Sequence, residues 1–65
     1  MRIDREELKK YEKIYDECED DAEFYIRLMN EAGIFHDDDI KEIMYYVTGA
    51  DDAYYNALDM MEADD

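Results

Sequence analysis

The sequence predicts an all-α fold, a small bundle of three to four short helices. Three observations predict it. Apolar residues recur at steps of three and four, as in Leu8, Tyr11, Tyr15, Cys18 and then Ala22, Tyr25, Met29, Ala32. Acidic residues stand where helices would begin, and both glycines stand where helices would end. Nothing alternates with period two over a useful length, no hairpin dipeptide occurs, and proline is absent.

The first helix has a defined start. Asp4 and Glu7 have capping-box spacing, and Ile3 and Leu8 are placed as a hydrophobic staple around it. The apolar series from Leu8 to Ala32 could be read as one long helix. A break near Asp20-Asp21 is expected instead, because a single helix would hold an acidic knot in its middle and its basic residues against the macrodipole. A second helix starting there turns the knot into caps, with Glu23 in support. It carries Phe24, Tyr25, Ile26, Leu28 and Met29 on most sides, with Glu23, Arg27 and Glu31 on the rest, and reads as the central element. Gly33 is expected at its C′ position and Ile34 at C″, a Schellman ending.

The third helix is expected from about Asp38 to Thr48, with Ile40, Ile43, Met44 and Val47 as its inner stripe and Asp39 and Glu42 at capping-box spacing. Gly49 should end it. The fourth should begin at Asp51 or Asp52, with Tyr54, Ala57, Leu58 and Met61 on one face, and fray through Glu62 to Asp65. Met44, Met60 and Met61 are read as core filler. In the pairs Tyr45-Tyr46 and Tyr54-Tyr55, one ring of each pair should face the core and the other the rim.

With 65 residues, 1–65 form one domain at most. Such a chain buries only about 60% of its unfolded surface, so a second copy is an expected partner and a homodimer an expected state. The single cysteine, Cys18, cannot form an internal disulfide. The start, MRIDREELKKYEK, has no apolar segment of a signal peptide, and no run approaches the ~18 apolar residues of a membrane span. The expectation is a cytoplasmic protein (host cytoplasm if viral) with no membrane association.

The formal charge is −14, well beyond the magnitude of about 2–8 that solubility asks of a small domain. Residues 1–13 hold five basic and four acidic side chains, while residues 14–65 hold two basic and 17 acidic ones. Yet 48% of the chain is hydrophobic, too apolar for a disordered acidic tail. Self-repulsion on this scale opposes compaction and asks for a reason.

Enzyme chemistry is not indicated. There is no P-loop, GxGxxG, HExxH or CxxC, and Cys18 and His36 are each alone of their kind. No catalytic residue, cofactor or metal is expected. Asp37, Asp38, Asp39 and Glu42 are hard ligands, but the EF-hand pattern is missing, and consecutive helical residues diverge by about 100°. Cys18 reads as a small core residue and His36 as a solvated loop or helix-start residue. Direct nucleic-acid binding needs the opposite charge.

The stretch His36-Asp37-Asp38-Asp39-Ile40-Lys41-Glu42 holds more carboxylates than a cap needs, and Asp51-Asp52 repeat the pattern. Glu12, Asp16, Glu19 or Asp20, and Glu23 would share one face if a helical phase ran through them, at a cost of a few tenths of a kcal/mol per like-charged pair. Carboxylates on neighbouring turns stand about 5–6 Å apart at Cβ, comparable to successive phosphates. In size, sign and helical content the chain resembles the small acidic proteins that viruses of bacteria use against CRISPR nucleases, restriction enzymes or repair glycosylases. The charge surplus on a chain with enough apolar periodicity to fold points to a non-catalytic inhibitor acting as a DNA or RNA mimic. Its acidic helical surface would occupy the groove of a basic nucleic-acid-binding protein, such as a nuclease or CRISPR effector. The residues expected to carry binding are Glu12, Asp16, Glu19, Asp20, Glu23, Asp37, Asp38, Asp39, Glu42, Asp51 and Asp52, with Tyr46 and Tyr55 as aromatic anchors. The alternative is an acidic interaction module or adaptor that binds through apolar and Tyr-rich helix faces. A third reading takes the charge as the mark of a salt-rich cytoplasm.

Overall fold

A computed structural model of the chain describes residues 3–63. Four helices follow in order: α1 (Arg5–Asp16), α2 (Asp21–Asn30), α3 (Asp37–Thr48) and α4 (Ala53–Ala63), and no strand occurs among the described residues.

The first two helices start as their capping residues dictate. The Asp4 carboxylate accepts the Glu7 N–H at 2.8 Å, and the Asp20 carboxylate accepts the Glu23 N–H at 2.8 Å. Between them α1 tightens and stops: the Glu17 N–H donates to the Ile14 carbonyl and the Cys18 N–H to the Tyr15 carbonyl, both three residues back. The expected break at Asp20-Asp21 is therefore present. The α2 exit differs in detail from a Schellman ending. Gly33 is left-handed (φ 70°), but the Ile34 N–H closes on the Leu28 carbonyl, one residue wider than that motif.

Two starts differ from expectation. Helix α3 begins at Asp37, with His36 at the N-cap and no side-chain cap bond. Asp39 is thus a first-turn residue, not the first half of a capping box with Glu42. Three aspartates occupy the first turn, where negative charge is favoured by the helix dipole. Helix α4 begins at Ala53. Asp51 and Asp52 form the turn before it, and the Asp52 carbonyl accepts the Asn56 N–H at 2.8 Å. The start is displaced because Gly49 ends α3 in the left-handed conformation (φ 74°) and Thr48 holds the next link, its Oγ1 accepting the Ala50 N–H. Of the frayed tail, Glu62 is helical, and Asp64 and Asp65 lie outside the described residues.

The core joins all four helices: Tyr11 and Ile14 from α1; Phe24, Tyr25 and Leu28 from α2; Ile40, Ile43 and Met44 from α3; Ala53 and Ala57 from α4. Phe24, Leu28, Ile40, Ile43 and Met44 are fully buried. Tyr15 meets Phe24 edge-on at 5.0 Å between centroids. Helix α2 packs most extensively on α4, where two alanines let the backbones approach; α1 touches α2 and α3 but not α4. Ile14 and Ala53 are core residues that lay outside the expected stripes. Met60 is exposed rather than core filler, because it sits in the last turn at the edge of α4's buried arc. The radius of gyration, 10.9 Å, matches the roughly 10.7 Å expected of a compact chain of this length.

Candidate partner-binding surface

The core leaves the carboxylates outside: no charged residue is buried among the described residues. Each acidic cluster then finds a different use. Around Arg27, three carboxylates gather, with Glu17 and Glu31 at 3.4 Å and Glu23 at 3.8 Å. The expected stripe of Glu12, Asp16, Glu19 or Asp20, and Glu23 is not one face. The turn at residues 17–20 breaks the helical phase, so Glu12 and Asp16 are exposed on α1, Glu19 and Asp20 lie in the turn, and half-buried Glu23 pairs with Arg27.

The other clusters meet in pairs. Asp21 begins α2, and burial, then the charges of Asp20 and Asp52, hold its carboxyl above the ordinary range. The starts of α2 and α4 thus share one field. At the start of α3, Asp37 accepts the Tyr25 hydroxyl at 3.2 Å, and Tyr25 lies 5.8 Å from the Tyr54 ring. Burial, then Asp37, raises the Tyr25 phenol; burial, then Asp37, Tyr55 and Asp38, raises that of Tyr54. Asp39 is half-buried; burial, then Glu7 and Asp4, and last Asp39, raise the Tyr11 phenol of α1. Acidic residues distant in sequence are therefore linked in pairs, Asp21 with Asp52 through their charges and Asp38 with Asp51 across a shared groove.

Helices α3 and α4 enclose this open groove of about 380 Å³, lined by Asp38, Lys41, Glu42, Tyr45, Asp51 and Tyr55. Lys41 reaches across it. Its ammonium donates to the Tyr55 hydroxyl at 2.8 Å and stands 4.8 Å from the ring centroid. That hydrogen bond, more than any charge, raises the lysine's affinity for its proton.

The tyrosine pairs do not behave alike. Tyr54 is half-buried and Tyr55 exposed, as expected of a core–rim pair. Tyr45 and Tyr46 are both exposed, at 46% and 53%. The buried stripe of α3 runs through Ile40, Ile43, Met44 and Val47, and at about 100° per residue positions 45 and 46 both fall on its far side. Sequence reasoning singled out Tyr46 and Tyr55 but passed over Lys41 and Tyr45. The signal was present: Asp38, Lys41, Glu42 and Tyr45 follow a three-and-four spacing on the outer face of α3.

Cys18 is half-buried and its thiol donates to the Ile14 carbonyl at 3.1 Å. Burial, then the charge of Glu23, pushes the thiol up to about 11. His36 is exposed at the head of α3. Among the described residues no group of three or more His, Cys, Asp or Glu side chains is arranged to hold a metal ion. No helix among them is long and apolar enough to cross a membrane. Comparison with family models, with curated proteins and with solved structures finds no match to this chain.

Proposed function

We propose that the chain is a non-catalytic inhibitor that mimics DNA or RNA. Its acidic helical surface occupies the nucleic-acid-binding groove of a basic protein such as a nuclease or CRISPR effector, and a viral anti-CRISPR or anti-restriction protein is the setting that fits this action. The supporting observation is that acidic residues far apart in sequence are brought together pairwise: Asp52 bears on Asp21, and Asp38 and Asp51 line one groove. Glu12, Asp16, Glu19, Asp38 and Asp51 are exposed and make no side-chain hydrogen bond or ion pair among the described residues. Carboxylates gathered on a rigid surface steer toward a cationic groove over long range without the counterion atmosphere of a nucleic acid. The reading calls for no cofactor and no direct nucleic-acid contact.

A second reading rests on a different observation. Ile26, Phe35, Tyr45, Tyr46, Tyr55 and Met60 are large and exposed, Phe35 by 71%. An interaction module or adaptor, or a homodimer, would use such residues and keep acidity for solubility.

One experiment separates the two. The tagged protein captures partners from a host lysate, and bound proteins are eluted in salt steps and, separately, with duplex DNA. Release of a basic nuclease or repair protein by DNA and by moderate salt supports mimicry. A partner that withstands high salt and ignores DNA supports the apolar surface instead.

A further inference from the structure

We propose that the α3–α4 groove is a receptor for a single arginine side chain of a protein partner, with Lys41 holding the place when no partner is present. The proposal rests on the reading of the chain as a binder of basic proteins and names the point at which one basic side chain is gripped.

The groove already binds a cation. The Lys41 ammonium lies in it, hydrogen-bonded to the Tyr55 hydroxyl at 2.8 Å and 4.8 Å from the ring centroid. The walls combine two exposed phenol rings, Tyr45 and Tyr55, with the carboxylates of Asp38, Glu42 and Asp51. Asp38 and Asp51 by themselves outnumber Lys41, so the lining stays anionic with the lysine in place. A volume of about 380 Å³ exceeds what one planar head group needs, and the groove opens to solvent.

Arginine fits this lining better than lysine. A guanidinium is planar, weakly hydrated and able to stack on a phenol ring while donating edge-on to a carboxylate. An ammonium is a strongly hydrated point charge and gains less from the rings. Entry of a guanidinium requires Lys41 to swing out. That movement gives up an exposed hydrogen bond and ring contact with Tyr55, which the incoming guanidinium replaces. Both tyrosines are about half exposed and outside the buried core, and melting temperatures of the alanine variants show whether each remains folded.

The test is an NMR titration of the ¹⁵N-labelled full chain with capped Gly-Arg-Gly and Gly-Lys-Gly peptides at low ionic strength. Expected for the arginine peptide are saturable shifts concentrated at residues 38–45 and 51–55. Tyr45→Ala and Tyr55→Ala should each weaken its binding at least fivefold. Lys41→Gln should tighten binding at least threefold, whereas Lys13→Gln, with the same charge change on α1, should alter it less than twofold. Equal binding of both peptides, shifts spread over every acidic surface, or affinity indifferent to both tyrosines would overturn the proposal. The lysate elution with DNA reads mimicry separately, so a DNA-insensitive partner with an intact arginine response would end the mimic reading and leave the groove.

Discussion

Cys18 shows how little a residue's type says before its surroundings are known. As the lone cysteine it is a nominal nucleophile, but its thiol donates to the Ile14 carbonyl and is pushed up to about 11. At pH 8 it is almost wholly protonated, so a disulfide reagent should label it more than tenfold more slowly than free cysteine, and at the free rate only after unfolding in urea. Labelling at the free rate in the native protein would contradict this placement. Asp20 joins two effects that a pair of variants separates. It caps α2, and its charge also bears on Asp21. Asp20→Ala removes the cap acceptor and should cost about 0.5–2 kcal/mol. Asp20→Asn keeps an acceptor and removes the charge, so its melting temperature should equal or exceed the parent's. Thermal melts by circular dichroism decide between them.

Helix ends decide how the elements are laid out. Gly49 stops α3 at φ 74°, and a Cβ built there meets nothing within 4 Å. A side chain at this position is therefore opposed by backbone conformation alone. Gly49→Ala should destabilise by about 1–2 kcal/mol and Gly49→Asn by less, as read from urea midpoints. An unchanged midpoint for the alanine variant would mean that α3 does not end as described. The same logic shows which elements were legible. The α1–α2 break followed from Asp20 and Glu23, because cap chemistry is local. The start of α4 did not. Asp51 or Asp52 reads as the first helical residue, but both lie in the turn, and Asp52 stands just before the helix with its carbonyl accepting the Asn56 N–H. The outward pair Tyr45-Tyr46 was readable from the α3 stripe, since a helix with Ile40, Ile43, Met44 and Val47 inside has no room there for either ring.

The whole molecule carries −14 on a radius of gyration of 10.9 Å, so its stability should respond to anything that weakens self-repulsion. The sign follows from Asp21. Its folded carboxyl is held above the ordinary value, first by burial and then by Asp20 and Asp52. Its charged form therefore disfavours the fold above that pKa, and the penalty is relieved as pH falls through it. The melting temperature should therefore rise as pH is lowered from neutral into the carboxylate range, and it should also rise at pH 7 on adding about 0.5 M sodium chloride. A melting temperature that falls under both conditions would show that attractive ion pairs, such as those of Arg27, outweigh the repulsion among the acids. Cooperative folding at low salt would also remove the salt-rich habitat as the reason for the charge.

By itself the sequence determined the all-α class, the two capped starts at Asp4 and Asp20, the glycine endings and most of the core. These features arise from neighbours within four residues, where hydrogen-bond geometry and helical period leave few alternatives. It also determined that the acids exceed what capping uses, since charge is a sum over residues. Only the tertiary structure decided where that surplus stands. Packing α2 against α4 through Ala53 and Ala57 brings Asp52 to bear on Asp21, and α3 beside α4 makes a groove of Asp38, Lys41, Tyr45, Asp51 and Tyr55. Those encounters depend on how helices cross, which is set by the shapes of buried side chains far apart in the chain. No periodicity within one helix encodes them.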